Sequence, residues 1–408
     1  MKRLLALVLA LSMSLGLVSC GNSIDTSSTD GSSGAFSSSQ TTDGSGSSSG
    51  SQQEDEQEEE DGVDWTVINP LTGEPSDKDY SDVKPIAVML NNVKAALPQS
   101  GNSQADILYE VPEEGGATRI MGLFQDLDGI EELGSIRSTR PYYVRLALSN
   151  DAILVHAGGS PGAYRLIQEM IQKDTFDDMD FLENGTNSAY NYYYRKPERF
   201  SAGYASEHTL FIKTAKIKEF FENNPDKIKT DHRQYLRRTH KFVEDGTPVN
   251  GFDAENINVS FSGYKSTAFD YDESTGKYLV SEFGAPYMDQ QAGEQVGVEN
   301  VIIVQTDIVP LHDRKGRVAV YLTGEGDGFY ACNGKMEKIH WEKKKARYTY
   351  TFTDSEGKEV DLGIGKSFVC VLDKARPITV NGEEANDLYE DGGFDLADTN
   401  ELSDEDAE

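Results

Sequence analysis

The chain has 408 residues, 37% of them hydrophobic and 26% charged, with a mean hydropathy of −0.54 and a formal net charge of −32. That length suits two ordinary domains, the hydropathy excludes a polytopic membrane protein, and 20 Tyr with 17 Phe exclude a wholly disordered chain. Residues 21–64 hold eleven acids and residues 383–408 twelve, neither stretch with Lys or Arg, so residues 65–382 carry a net −11 and lack the clustered cations of a nucleic-acid binder.

Residues 1–20 read as a lipoprotein signal peptide. Lys2 and Arg3 precede an apolar run from Leu4 to Leu17, which is too short for a stable span. The run ends in Leu17-Val18-Ser19-Cys20-Gly21, which resembles a bacterial lipobox. A thioether to diacylglycerol forms only on sulfur, so Cys20 is the expected lipid acceptor, and the protein is expected on the cell membrane facing outside the cytoplasm. The competing reading is a signal with an incidental cysteine. Residues 21–64 form a tether. Twelve Ser and five Gly between Thr26 and Ser51 preclude a core, and eight acids from Glu54 to Asp64 extend the chain by repulsion. A coil of this length reaches about 35–40 Å.

The body opens at Trp65. Turn chemistry at Asn69 to Gly73 precedes strand-like runs at Pro85 to Leu90, Ala105 to Val111 and Thr118 to Phe124. A helix is predicted from Pro141 to Leu148, with Ser138 or Thr139 as its cap. A strand at Ala152 to His156, the turn Gly158 to Gly162, and a helix from Ala163 to Gln172 follow. Thr209 to Asn223 reads as one more helix, with Ile212, Ile217, Phe220 and Phe221 apolar. This alternation makes residues 65–249 an α/β domain. Residues 250–382 read as a smaller, mainly antiparallel β (α+β) domain, in the form of a partial barrel. Its strands are placed at Ile257 to Phe261, Ala268 to Asp272 with Lys277 to Val280, Val301 to Gln305, Val318 to Leu322, Gly328 to Cys332, Tyr348 to Phe352 and Ser367 to Leu372. Residues 383–408 read as a disordered acidic tail.

The segment Gly134-Ser-Ile-Arg137-Ser-Thr-Arg140-Pro141 places two guanidiniums beside a helix start, where backbone N–H groups and partial positive charge favour an anion. The second glycine-rich turn, Gly158-Gly159-Ser160, enters another helix and offers a close backbone approach. Arg119, Arg137, Arg140, Gly158, Gly159 and Ser160 are therefore the candidate anion site. The alternative is internal pairing of Arg137 and Arg140 with Glu110, Glu113 or Glu114. His156, His208 and Glu110 are the candidate proton-transfer groups, against purely structural roles. Ser160 satisfies a bare Gly-x-Ser-x-Gly pattern. However, Pro161 lacks the N–H that an oxyanion hole would need there, which argues against a serine hydrolase. The cluster Tyr190 to Tyr194 suits stacking on a sugar or peptide, or simple partial burial. No metal site or cofactor is expected, since no His-x-x-x-His or Cys-x-x-Cys pair occurs. Cys332 and Cys370 are read either as a disulfide or as two buried thiols.

Taken together, Asn69 to Gly73, Pro85 to Leu90, Pro98 to Gly101, Ala105 to Glu110, Glu114 to Gly116 with Thr118 and Arg119, Gly134 to Pro141, Val155 to Pro161 and the hairpin Tyr271 to Tyr278 resemble the YerB-like bacterial lipoproteins, a family of unknown function. The resemblance covers nearly all of residues 66–380, in an N-terminal and a C-terminal part. It implies an envelope-facing lipoprotein and no particular activity. One departure lies at Ser206-Glu207-His208-Thr209, where the family carries a Pro-His-Asn-like segment.

Two functions follow from this reading. The first is a binding or scaffolding lipoprotein that recognises an anionic or glycan envelope ligand, a cell-wall polymer or a partner protein. The second is a hydrolase or transferase acting on a phosphate- or carboxylate-bearing envelope polymer, with Arg119, Arg137 and Arg140 holding the anion and His156 moving protons. The second requires His156 and the arginines to converge on one water-accessible cleft.

Overall fold

A computed structural model describes residues 68–173, 176–182, 190–230 and 240–388. Cys20, the leader, the tether and residues 389–408 lie outside the described residues. Mixed sheets dominate the fold, with few helices: α1 (Pro141–Ser149), α2 (Pro161–Gln172), α3 (Pro197–Ser201) and α4 (Thr214–Asn223). No helix among the described residues is long and apolar enough to cross a membrane.

The N-terminal part contributes β1 (Ile86–Asn92), β2 (Ile107–Pro112), β3 (Thr118–Phe124), β4 (Glu132–Gly134), β5 (Ile153–His156), β6 (Asp178–Asp180), β7 (Tyr193–Arg195) and β8 (Leu210–Lys213). β1 lies antiparallel to β3 and parallel to β5, and β5 is parallel to β6. β2 pairs antiparallel with β3 and parallel with Ser367–Asp373 of the C-terminal part. Beyond that strand the sheet continues through Asn300–Thr306, Gly324–Cys332 and Lys335–Lys343, so eleven strands from both parts share one sheet. The expected barrel is absent among the described residues. Instead, Asn256–Ser260, Ser266–Asp272 and Lys277–Glu282 build a separate seven-stranded antiparallel sheet with Ile378–Val380.

Apolar side chains cover both faces of the central sheet. On one face Ala87, Met89 and Leu154 meet Tyr143, Leu146 and Ile167 from α1 and α2. On the other, Val88, Leu90 and Val155 join a cluster that holds Ile217 and Phe220 of α4 and Val259, Phe269 and Val280 of the second sheet. Each buried Val, Leu, Ile, Met or Phe among them stabilises the fold by about 1.5–3 kcal/mol relative to exposure. This two-sided burial explains why β1 and β5 read as continuous apolar runs rather than as alternating ones.

Several boundaries differ from the sequence reading. Thr209 to Asn223 is not one helix. Leu210–Lys213 is a strand bonded on both edges, to β4 and to β7, and helix begins only at Thr214, whose hydroxyl donates to the Ile130 carbonyl. Two flanking strands outweigh the helical periodicity there. The N-cap of α1 is Arg140 rather than Ser138 or Thr139, and it makes no side-chain cap bond. Lys335–Lys343 and β6 escape a hydropathy reading because Glu337, Lys343, Asp178 and Asp180 point inward and are buried. Tyr348 to Phe352 contributes only Thr351–Thr353. The tail is packed further than composition suggests: Glu383–Glu384 pairs with Thr379 and Val380, and Ala385 is buried.

Candidate functional site

β1, β2, β5 and β6 all run in one direction, so their carboxyl ends share one edge of the sheet, where open α/β sheets gather ligands. Two loops at this edge run side by side. The Thr139 N–H donates to the Gly158 carbonyl at 2.9 Å, and the Ser160 N–H donates to the Thr139 carbonyl at 3.2 Å. This pairing sets the first turns of α1 and α2 next to each other. Pro141 and Pro161 each open a helix, where the missing N–H costs nothing. Ser160 caps α2, its Oγ accepting from the Ala163 N–H at 3.2 Å.

A cavity of about 250 Å³ opens over these two helix starts. Arg140, Arg145, Ser160, Pro161, Gly162 and Arg165 line it from the N-terminal part. Its remaining wall is the hairpin of Ile308–Pro310 and Val318–Val320, which brings Leu311, Arg317 and Val318 to Val320. Four arginines thus line one cavity in a body of net negative charge. The lining holds no imidazole and no carboxylate. At its margin Glu114 accepts from Arg140 Nε and Nη2, both at 2.8 Å, and lies 3.9 Å from Arg317 Nε. Burial opposes ionisation of Glu114, but the hydrogen bond and the charge of Arg140, with smaller contributions, together hold the carboxyl below its usual range.

The residues singled out in the sequence divide into three groups. Arg140 and Ser160 line the cavity. Arg119 is almost fully buried, pairs with Glu113 and donates to the Ser138 carbonyl. Arg137 makes no ion pair among the described residues; its Nη1 donates to the Glu207 carbonyl at 3.3 Å, and its buried Nε has no partner. Burial, and then the charge of Arg119, pull its pKa down. Arg137 neighbours His208, whose Nδ1 lies 2.9 Å from Asn91 Nδ2 and whose pKa burial lowers. Neither Arg119 nor Arg137 lines the cavity.

His156 is sealed in the interior. Its Nδ1 lies 2.9 Å from the Gly158 carbonyl and its Nε2 3.1 Å from Asp178 Oδ2. Burial disfavours the charged ring, yet Asp178 and Asp180 raise its pKa overall. Both nitrogens are engaged away from solvent, so the structure does not bring His156 to the arginines in one open cleft. Gly158 serves this buried cluster as well, since its N–H donates to Asp180 Oδ1 at 2.7 Å. Its φ of +79° is left-handed, and an added Cβ would meet Leu182 Cδ1 at 2.6 Å. Gly159 packs behind the α2 start, against Thr139. Glu110 is wholly buried among Asn92, Thr118, Thr267 and Lys265. No group of three or more metal-ligating side chains assembles among the described residues. Cys332 and Cys370 are separate buried thiols whose side chains join opposite faces of the central sheet.

Sequence reasoning missed Arg145, Arg165 and Arg317. A signal for the first two exists: Pro141-x-x-x-Arg145 repeats as Pro161-x-x-x-Arg165. A four-residue step returns to the same helix face, so each arginine stands one turn beyond its proline. Arg317 had no local signal, because the chain reaches the cavity only through the shared sheet.

Comparisons with known proteins agree with this architecture. Residues 71–228 match the family described as "Protein of unknown function (DUF3048) N-terminal domain", and residues 257–369 match its C-terminal domain. The chain is 28% identical over 306 residues to "Putative lipoprotein YerB" of Bacillus subtilis (strain 168), covering 74% of this chain and 85% of that protein. A crystal structure of YerB protein from Bacillus subtilis superposes with a TM-score of 0.63 at 27% identity, covering 77% of this chain and 99% of that one. The chain belongs to the YerB-like family that carries these two domains of unknown function.

Proposed function

We propose that the protein is a lipid-anchored component of the outer face of the cell membrane that captures an anionic ligand in the four-arginine cavity. The single observation carrying this reading is the convergence of Arg140, Arg145, Arg165 and Arg317 on one cavity of about 250 Å³. Guanidinium forks match phosphate and carboxylate oxygens. Two adjoining helix starts add partial positive charge at the same place. The leader with Cys20 and the relative named as a lipoprotein support the address. A phosphate- or carboxylate-bearing wall polymer is the ligand class that fits both address and charge. The acidic tether keeps the body off an anionic membrane and leaves the cavity accessible to such a polymer.

Binding is favoured over catalysis because the lining offers guanidinium, hydroxyl and apolar groups with no imidazole or carboxylate among them, and the Glu114 carboxylate at its margin is held by Arg140. Calorimetric titration with inorganic phosphate, pyrophosphate and a glycerol-phosphate oligomer tests the reading. Affinity is expected to rise with the number of phosphates and to fall steeply with salt. Absence of heat with all three at millimolar concentration defeats it.

A further inference from the structure

Away from the cavity, six polar side chains meet in a closed chamber between the central sheet and the second sheet. Asn92 ends β1, Glu110 lies in β2 and Thr118 begins β3. Lys265 immediately precedes the strand Ser266–Asp272, which holds Thr267, and Glu282 ends Lys277–Glu282. None is more than 1% exposed. Lys265 Nζ lies 2.7 Å from Glu110 Oε1 and contacts Glu282 Oε2 directly. Asn92 Nδ2 reaches the same Glu110 Oε1 at 2.9 Å and Glu282 Oε1 at 3.3 Å. The amine and the carboxamide therefore share both carboxyl groups, and this sets them side by side. Phe261 and Phe283 flank the amine, their ring centroids 5.5 and 5.1 Å from Nζ.

An ion cluster suits this place poorly. One ammonium and two carboxyl groups share a dry interior, where even paired charge costs desolvation. Asn92 Oδ1 is buried with no hydrogen-bond partner. An amide that replaces the amine and carboxamide removes the ammonium from the interior.

We propose that Lys265 and Asn92 are joined by an intramolecular isopeptide bond, formed autocatalytically with Glu110 and Glu282. Glu110 takes a proton from the Lys265 ammonium, and the freed amine attacks Asn92 Cγ. Glu282, as the neutral acid, donates to the Asn92 carbonyl oxygen once the amide is turned to face it; the orientation of such an amide is set by its hydrogen bonds. The Nζ–Cγ bond forms, the Cγ–Nδ2 bond breaks, and Nδ2 departs as ammonia. One Lys265 proton passes to Nδ2, and the proton taken by Glu110 stays there, so Lys–NH3⁺, Glu–COO⁻ and Asn–CONH2 become Lys–NH–CO–Asn, Glu–COOH and NH3. Atoms and charge balance with no external reagent. Burial and the neighbouring Glu110 charge push the Glu282 pKa up to about 8, in keeping with a neutral acid. Burial favours the free amine, although Glu110 and Glu282 together raise the Lys265 pKa, so the amine is freed only by direct proton transfer to the adjoining Glu110. The bond would tie β1 to the second sheet and so lock the two parts of the chain together.

Peptide mapping of the full chain by mass spectrometry tests this. The expected result is a branched peptide joining the Asn92 and Lys265 segments, lighter than its two components by one ammonia and sequenced through the link. Complete recovery of the two segments unlinked overturns the proposal. A branched peptide lighter by one water also overturns it, because a glutamate would then be the acyl partner. In Glu282→Gln, with the fold checked by circular dichroism, the linked fraction should fall at least tenfold, by loss of a general acid. An undiminished link in that variant overturns the role given to Glu282.

Discussion

Arg140 grips Glu114 through two parallel hydrogen bonds of 2.8 Å, and a third, from Nη1 to the Thr139 carbonyl at 2.9 Å, fixes its stem. Arg317 also borders the cavity, but its firmer contact is Asp313 at 3.0 Å, four residues away within its own hairpin. The two arginines should therefore respond differently to substitution. Arg140→Gln breaks a bidentate, half-buried pair and should destabilise the fold by about 1–3 kcal/mol. Arg317→Gln should leave the melting temperature nearly unchanged, since a partly exposed pair within one hairpin contributes about 0–1 kcal/mol. It should still weaken phosphate binding roughly ten- to a hundredfold. Thermal unfolding and calorimetry on both variants check this. Intact binding in Arg317→Gln removes the cavity as the site.

The Glu114 carboxyl titrates below its ordinary value of 4.5 in the folded state. A depressed carboxyl contributes stability that is present above the unfolded pKa and lost as pH falls through the folded one. Wild-type protein should lose stability on acidification below about pH 4.5, and Glu114→Gln should flatten that limb. Urea unfolding between pH 3 and 6, expected at about these limits from ordinary carboxylate pKa values, measures it. An identical acid limb in both proteins refutes the assignment.

His156 tests the structural side of the sequence reading. The ring stands between Asp178 and Asp180, both wholly buried. His156→Ala leaves two buried carboxylates without their cation and should cost about 3–5 kcal/mol. The folded pKa of His156 is raised, so its contribution is full below the unfolded value of 6.5 and is lost as pH rises through the folded value. Denaturant midpoints should accordingly decline on the alkaline side of pH 6.5 in wild type and less so in the variant. A variant of wild-type stability would show that His156 is spare to the fold and open to another role.

What the sequence made legible, and what it hid, has a physical pattern. β1, β3, β5, α1 and α2 were readable because their apolar spacing and proline starts are local properties. β8 was read as helix because its neighbours β4 and β7 are not adjacent to it in sequence. The sharing of one sheet by both parts depends on the pairing of Ile107 with Ser367, which no local pattern encodes. Arg137 and Arg140 stand three residues apart, yet one turns toward His208 and the other toward the cavity. Contacts distant in sequence set that division: Arg137 is bonded to Met89 and Ala157, and Thr139 to Gly158 and Ser160.

The boundary of the C-terminal tail is a further test. Truncation after Leu388 removes only residues that composition marks as unable to build a core, and the melting temperature should hold. Truncation after Gly382 also removes the pairing of Glu383 and Glu384 and the buried Ala385. That should cost about 1–3 kcal/mol in lost backbone bonds and apolar burial. Equal melting temperatures for the two truncations would show that the last strand contributes nothing.

Cys332 and Cys370 lie on strands separated by Asn300–Thr306, with their side chains on opposite faces of the sheet. A disulfide cannot join two side chains that point apart. Burial pushes the Cys332 thiol up to about 11 and raises Cys370 as well, so neither forms a reactive thiolate at neutral pH. In native protein a thiol reagent should label neither residue on the timescale that labels both in denaturant. Reductant should leave the melting temperature unchanged. A reductant-sensitive melting temperature, or two thiols that stay blocked after denaturation, would contradict the packing of these strands and with it the register that sets Ser367 beside Ile107.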